Sequence, residues 1–257
     1  INIKTNMFWK KHTQNNLNIW IKGYIYSHSL EKIINICREI KKNQVSSFLE
    51  SIDGHFALVV QRDDLTFIAV DKIRSTPLFF ANIQNNFFID SDPKNLIKIN
   101  EFNKKNINFN SRLEIFMSGY TIGNKTIYNE LKSLKAGELV FFHNNDYEYL
   151  HYYKYNGDIV KKSLEEYLEE LKTLTSNIFK KTLNEIGDRQ IIIPLSAGND
   201  SRLVASILKY LGAKNVKCYS YGTKGNFEAK IAKIIANKLD YEWRFIPLTH
   251  KSEKKYY

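Results

Sequence analysis

The segment Pro194-Leu195-Ser196-Ala197-Gly198-Asn199-Asp200-Ser201-Arg202 combines what a phosphate group asks of a protein: hydroxyl donors, small residues and a carboxylate. Ser196, Ala197 and Gly198 let the backbone turn sharply and come close to a ligand. A helix starting here would have its first N–H groups unpaired and pointing into the turn, which suits an anion. Ser196 and Ser201 add hydroxyl donors, and Asp200 offers a carboxylate for a magnesium ion held between phosphate oxygens. From spacing alone the same residues also fit a plain strand-to-helix turn with a Ser or Asp cap. The segment is not a Walker A loop, because no Gly-Lys-Ser/Thr follows at the required spacing.

The flanking residues must supply a strand before this loop and a helix after it. Residues 190–195 are β-branched and short, as expected of a strand in a parallel sheet covered on both faces. Leu203, Val204, Ile207, Leu208 and Leu211 recur at helical spacing and stop at Gly212. Residues 216–221 read as a second strand and 222–226 as a loop. Residues 227–239 read as a helix with Ala229, Ile231, Ala232, Ile235, Ala236 and Leu239 inward, and 242–248 as a third strand. Strands alternating with helices imply right-handed crossovers and a doubly wound sheet with ligands at the carboxyl ends of its strands. Upstream, a long helix is expected over 164–186, opened by a Ser163/Glu166 capping box. Its buried stripe would be Leu164, Tyr167, Leu168, Leu171, Leu174, Ile178, Leu183 and Ile186.

The loop resembles the PP-loop motif Ser-Gly-Gly-x-Asp-Ser of the ATP pyrophosphatases, in the asparagine-synthase-like form in which Arg often follows. Ala197 departs from it, mildly if that position has ordinary φ and at a cost if φ is positive. The resemblance implies ATP and Mg2+ as cofactors. It further implies nucleotide contacts at Leu195, Ser196, Gly198, Asn199, Asp200 and Ser201, with Asp200 on the metal. The end of the second strand, Tyr221 and Gly222, would bracket adenine through its backbone, and Glu228 falls where the family often has an acidic residue.

The N-terminal half reads as a β-hairpin: the run 53–60 is followed, after the charged turn Arg62-Asp63-Asp64, by a run over 67–80 that includes Asp71 and a Pro77-containing bend into another strand. It is similar to the Gly-x-Phe-Ala … Arg-Asp-x-x-Gly-x-x-Pro-Leu-Tyr stretch of class II glutamine amidotransferase domains. Phe87 to Asp92, Gly119-Tyr120 and Lys135-Ala136-Gly137-Glu138 continue that pattern. The resemblance implies an Ntn-hydrolase-like four-layer α/β/β/α domain over 1–157. An incomplete, doubly wound parallel α/β domain of the adenine-nucleotide hydrolase-like, PP-loop type would follow over 158–257. Asn156-Gly157-Asp158 marks the boundary, and a 257-residue chain suits one or two modest cores.

Glutaminase chemistry is not expected, and no catalytic residue is assigned. That domain type uses an N-terminal cysteine, whereas this sequence opens Ile1-Asn2-Ile3 and holds only Cys37 and Cys218. Lys22-Gly23-Tyr24-Ile25-Tyr26 stands where the family has Asn-Gly-Glu-Ile-Tyr, and the Ser-Asp-x-Glu segment has no counterpart before Asp53.

The formal net charge of +11 is spread over a Lys-, Asn- and Ile-rich sequence with only short clusters, so no specific nucleic-acid partner is expected. His12, His28, His55, His143, His151 and His250 show no metal-ligand spacing. No signal peptide or bilayer-length apolar run is present, so the expected location is cytoplasmic, with no membrane partner. The reading that follows is an asparagine synthase-like, ATP-dependent amide-forming ligase: a carboxylate is adenylated, then attacked by ammonia. Its partners would be a small-molecule carboxylate (aspartate or a related acid), ammonia and a second copy in a homodimer. The chain is expected to be a fragment of such a ligase or a degenerate relative. The alternatives are a non-catalytic nucleotide-binding or scaffold protein of this fold and, third, a PP-loop tRNA-modifying enzyme.

Overall fold

In the computed structural model, which describes residues 2–3, 9–84, 86–99 and 101–249, the alternating apolar runs of the N-terminal half pair into two sheets. In chain order the elements are β1 (Asn2–Ile3), β2 (Trp9–Gln14), β3 (Leu17–Ile25), α1 (Leu30–Glu39), α2 (Val45–Ser51), β4 (Gly54–Gln61) and β5 (Thr66–Val70). They continue with β6 (Phe79–Ile83), β7 (Asn86–Asp90), α3 (Pro93–Ile99), α4 (Phe109–Ser118), β8 (Leu131–Ser133), β9 (Glu138–His143) and β10 (Asp146–His151). One sheet runs β10-β9-β5-β4-β3-β2 and is antiparallel throughout; the other runs β1-β7-β6-β8, with only β1 and β7 parallel.

Period-2 alternation sorts the larger sheet into two cores. Phe56, Leu58 and Val60 of β4 face α1 and α2, where they meet Ile33, Cys37, Phe48 and Leu49. Ala57 and Val59 face the other way, onto Phe80, Phe87 and Ile89 of the smaller sheet. The outer side of that sheet is covered around Ala81, Leu96 and Leu131, with α3 supplying Leu96. The layers are therefore helix, sheet, sheet, helix, as the four-layer expectation had it.

Asp71, 1% exposed, ties the ends of these layers together. Its carboxylate accepts from the backbone N–H of Phe56 (3.0 Å), Ile73 (3.0 Å) and Ser75 (3.0 Å) and from the Ser75 hydroxyl. Its own carbonyl accepts from Gly137 N at 3.0 Å. Gly137 is a required glycine: φ is +65°, and a Cβ would lie 2.4 Å from the Tyr153 carbonyl oxygen.

The chain divides into two compact units, Ile1–Asp158 and Ile159–Tyr257. The second contains α5 (Leu164–Ile186), β11 (Ile191–Pro194), α6 (Asn199–Tyr210), β12 (Val216–Gly222), α7 (Phe227–Lys238) and β13 (Glu242–Pro247). The strands are parallel and ordered β11-β12-β13. Ala205 and Leu208 of α6 and Ala232 and Ala236 of α7 meet Ile193, Val216 and Cys218 in one core.

Three expectations are corrected here. The strand order has no reversal among the described residues, because each crossover adds its strand on the same side; the unit is singly wound as far as it is described. The β11 strand is not covered on both faces: Ile193 is 3% exposed but Ile192 is 60%, since both crossover helices lie on one side. The stripe of α5 is not buried either. Leu164, Leu168, Leu171 and Leu174 are each more than half exposed, and only Phe179 and Leu183 pack against the sheet's core. Of the expected stripe only Leu183 packs there, Phe179 was not part of it, and Leu168 and Leu171 border an open cavity shared with Leu203, Ile207 and Tyr210 of α6. No helix among the described residues is long and apolar enough to cross a membrane.

Candidate functional site

The loop after β11 and the end of β12 leave the same edge of the sheet, because the two strands are parallel neighbours with Pro194 opposite Tyr219. The structure thus brings Leu195, Ser196, Gly198, Asn199, Asp200 and Ser201 to the carboxyl ends of the strands, beside Tyr221 and Gly222. Leu195, 2% exposed, donates its N–H to Tyr219 O at 2.8 Å. Its carbonyl accepts from the Ser220 hydroxyl at 2.6 Å.

Beyond Leu195 the loop folds on itself. Ser196 N donates to Ser201 Oγ at 3.1 Å, the two serine hydroxyls lie 3.0 Å apart, and Gly198 N donates to Ser196 Oγ at 3.1 Å. Arg202 reaches back to donate to Ala197 O at 2.9 Å. Ala197 is absent from the residues of positive φ, so its departure from the glycine of the resembled motif is the mild kind.

Gly198 is the N-cap of α6, with φ −70° and ψ 158°, and no side chain caps this helix. The short α2 is likewise without a side-chain cap, whereas Ser29 caps α1, Asn108 α4, Ser163 α5 and Asn226 α7, each through a side-chain acceptor. The backbone at Gly198 is one that any residue could adopt, and a Cβ would meet only Ser196 Oγ, at 3.2 Å. Neither φ nor any backbone atom demands glycine here, and a Cβ would need the Ser196 hydroxyl to give by a few tenths of an ångström. The absence of a side chain leaves the mouth of the loop open. Asp200, in the first turn, is exposed and engages no side chain among the described residues.

At the neighbouring strand end, Gly222 is required: φ is +136°, and a Cβ would lie 2.6 Å from Nδ2 of Asn226. Its carbonyl accepts from Leu248 N at 2.9 Å. Tyr221 is 60% exposed on the uncovered face. Glu228 stands in the first turn of α7, also exposed.

In the N-terminal unit, Lys22 Nζ donates to Ser91 Oγ at 2.8 Å. Gly23 has a positive φ, +98°, and a Cβ there would collide with His55 O at 2.0 Å. Both cysteines are buried. Desolvation pushes the Cys37 thiol up to about 12 and the Cys218 thiol up to about 11, so neither is a thiolate at neutral pH. Among the described residues no group of three or more His, Cys, Asp or Glu is arranged to hold a metal ion, and His250 lies outside the described residues.

Residues 30–154 match the family model of the glutamine amidotransferase domain. The matched domain runs from α1 to just past β10 and includes the Asp71 hub and the Lys135–Glu138 turn. The Lys22–Tyr26 segment and the second unit lie outside the match. Curated proteins give no match to this sequence. Among solved structures, glutamine phosphoribosylpyrophosphate amidotransferase from B. subtilis, complexed with ADP and GMP, aligns at 10% identity and a TM-score of 0.37, over 91% of this chain and 71% of that one. A structure described as the allosteric regulatory enzyme of purine biosynthesis aligns at 11% identity and a TM-score of 0.34, over 95% of this chain. The alignment spans 50% of that protein's length. At such TM-scores neither superposition carries functional information.

The buried thiols give a direct expectation for the matched domain. Incubated with glutamine, the purified 257-residue chain is expected to release glutamate at the level of a heat-inactivated control. Release above that level, abolished by Cys37→Ala, would show that the thiol becomes accessible.

Two features went unseen in the sequence. Ser220 sits under the loop, and its only signal was a polar residue at an inward position of the Val216-x-Cys218-x-Ser220 alternation. The Arg202 contact with Ala197 O left no pattern to read.

Proposed function

We propose that the chain carries the nucleotide-binding part of an asparagine synthase-like ligase, in which a carboxylate is converted to an amide at the expense of ATP. The observation that carries this reading is the uncapped start of α6 behind a loop that pairs two serine hydroxyls with a side-chain-free Gly198 at its mouth. The glutamine amidotransferase match supports an amide-transfer context. In the proposed reaction, a carboxylate oxygen forms a bond to the α-phosphorus of ATP while the bond to the β-phosphate oxygen breaks, releasing pyrophosphate. Ammonia then adds to the acyl carbon, the C–O bond to AMP breaks, and the nitrogen loses a proton.

The residues present suit a triphosphate with one metal ion. The N–H groups at the start of α6 and the hydroxyls of Ser196 and Ser201 would donate to phosphate oxygens. The α6 dipole favours their charge. Asp200 would supply the one carboxylate that a magnesium ion on substrate phosphates commonly takes from the protein. Magnesium, when bound, neutralises phosphate charge. Tyr221 and Gly222 would flank the adenine, and aspartate or a related acid would be the carboxylate.

On this reading MgATP raises the thermal midpoint of the chain. Asp200→Ala is expected to weaken MgATP by about tenfold, or 1.4 kcal/mol, while leaving the binding of metal-free ATP unchanged. Equal MgATP shifts in wild type and variant would remove Asp200 from the metal. The absence of any shift in wild type would favour the non-catalytic scaffold reading, which the buried thiols and the Lys22 replacement also suit.

A further inference from the structure

We infer that Ser220 is a positioning residue for the anion-binding loop, the middle link of a brace that runs Trp243 to Ser220 to Leu195 across all three strands. The inference deepens the nucleotide reading and rests on it for the ligand, though not for the geometry.

Trp243 Nε1 on β13 lies 3.0 Å from Ser220 Oγ on β12, and Ser220 Oγ lies 2.6 Å from the carbonyl oxygen of Leu195. The direction of this chain is fixed by its members. An indole nitrogen can only donate, so Ser220 accepts from Trp243 and its single hydroxyl proton must go to Leu195 O. Such a relay polarises both bonds in the same sense. Ser220 is 6% exposed and points to the covered face of the sheet, where no solvent competes for the hydroxyl.

The consequence falls one atom further along. In a trans peptide the carbonyl and the following N–H point in opposite directions. Drawing the Leu195 carbonyl down into the sheet turns the Ser196 N–H up, towards Ser201 Oγ at 3.1 Å. That N–H, the Ser196 hydroxyl and the Ser201 hydroxyl form the floor of the loop. Leu195 N, held by Tyr219 O at 2.8 Å, fixes the preceding peptide but leaves this one free to rotate. Ser220 Oγ anchors the carbonyl side of the Leu195–Ser196 peptide from within the sheet, opposite the Ser201 hydroxyl that takes its N–H. Without the hydroxyl, both Trp243 Nε1 and Leu195 O lose their partner, and the peptide plane can flip to bring the carbonyl to the mouth. A carbonyl oxygen there would repel a phosphate.

The experiment compares wild type, Ser220→Ala and Ser220→Thr in the full chain, with two readouts. In the absence of nucleotide, amide hydrogen exchange at Ser196 is expected to accelerate at least tenfold in Ser220→Ala, with exchange in the body of α6 and β12 unchanged. Ser220→Thr, which keeps the hydroxyl, is expected to restore the wild-type rate. With MgATP as the probe, Ser220→Ala is expected to raise Kd at least tenfold and Ser220→Thr to recover most of that loss. Unchanged Ser196 exchange in Ser220→Ala, or equal acceleration in the Thr variant, overturns the inference. A wild type that does not bind MgATP ends the nucleotide reading, while the exchange measurement still decides the role of Ser220. Should Ser220→Ala fail to fold, Trp243→Phe takes its place: it removes the indole donor while keeping an aromatic ring on the core, and is expected to speed Ser196 exchange by about two- to fivefold with β12 exchange unchanged. No acceleration in that variant would equally overturn the brace.

Discussion

Gly198→Asp is expected to make the protein slightly more stable and to weaken MgATP by at least about a hundredfold. The two effects have separate causes. At the N-cap of α6 the backbone already has the extended conformation that a capping residue takes, and no side chain caps the helix. An aspartate there supplies an acceptor for the first-turn N–H groups, gaining a few tenths of a kcal/mol over glycine. The same carboxylate fills the mouth of the loop, next to Ser196 Oγ, and takes the donors that a phosphate would use. At about 4 Å and an effective dielectric near 20, repulsion between unit charges is about 4 kcal/mol. Thermal unfolding and MgATP titration of the one variant decide the matter. A stabilised variant with wild-type affinity would mean that the segment is a helix start and nothing more.

Asp71→Ala is expected to cost the N-terminal unit about 3–5 kcal/mol, a large share of the stability of a typical domain. The side chain is buried, and its loss would strand the N–H groups of Phe56, Ile73 and Ser75 together with the Ser75 hydroxyl. Each unmet buried donor costs about 1–3 kcal/mol, less where water can reach it. Asp71→Asn keeps one acceptor oxygen and should cost about half as much. Urea denaturation read from the backbone amides of β4 and β5 measures both. A loss under 1 kcal/mol in the Ala variant would show that these donors find water instead.

Much of this was legible in the sequence where local chemistry decides it. Ser163 and Glu166 announced the start of α5, and both arms of the capping box are formed, at 2.8 and 3.2 Å. The inward residues of α7 followed from their spacing, with Ala229, Ala232 and Ala236 buried. What the sequence did not disclose depends on neighbours. The pattern of Leu164, Leu168 and Leu171 states which face of α5 is apolar but not whether anything lies over it. The β-branched run of β11 looks the same whether one face is covered or two. Strand order is set by the direction of each crossover, and that direction leaves no mark on the residues of the strands. The candidate loop was read from residue types, but the polarity of its peptides depends on Ser220, about 25 residues away. Asp71 appeared only as part of a resembled motif. Its place as the acceptor for three segments emerged from the packing of the two sheets.

The one-sided cover of the β11-β12-β13 sheet also shapes how the two units respond to solvent and temperature. Unfolding releases apolar surface in proportion to what the native state hides, and both the denaturant slope and the heat-capacity increment scale with that release. With Ile192, Tyr221 and the α5 leucines already in contact with water, residues 159–249 hide less per residue than the double-cored N-terminal unit. Its stability curve is accordingly flatter, and urea discriminates less sharply between its folded and unfolded forms. Cooling, which weakens apolar association, erodes the N-terminal unit more steeply than the unit that carries the loop.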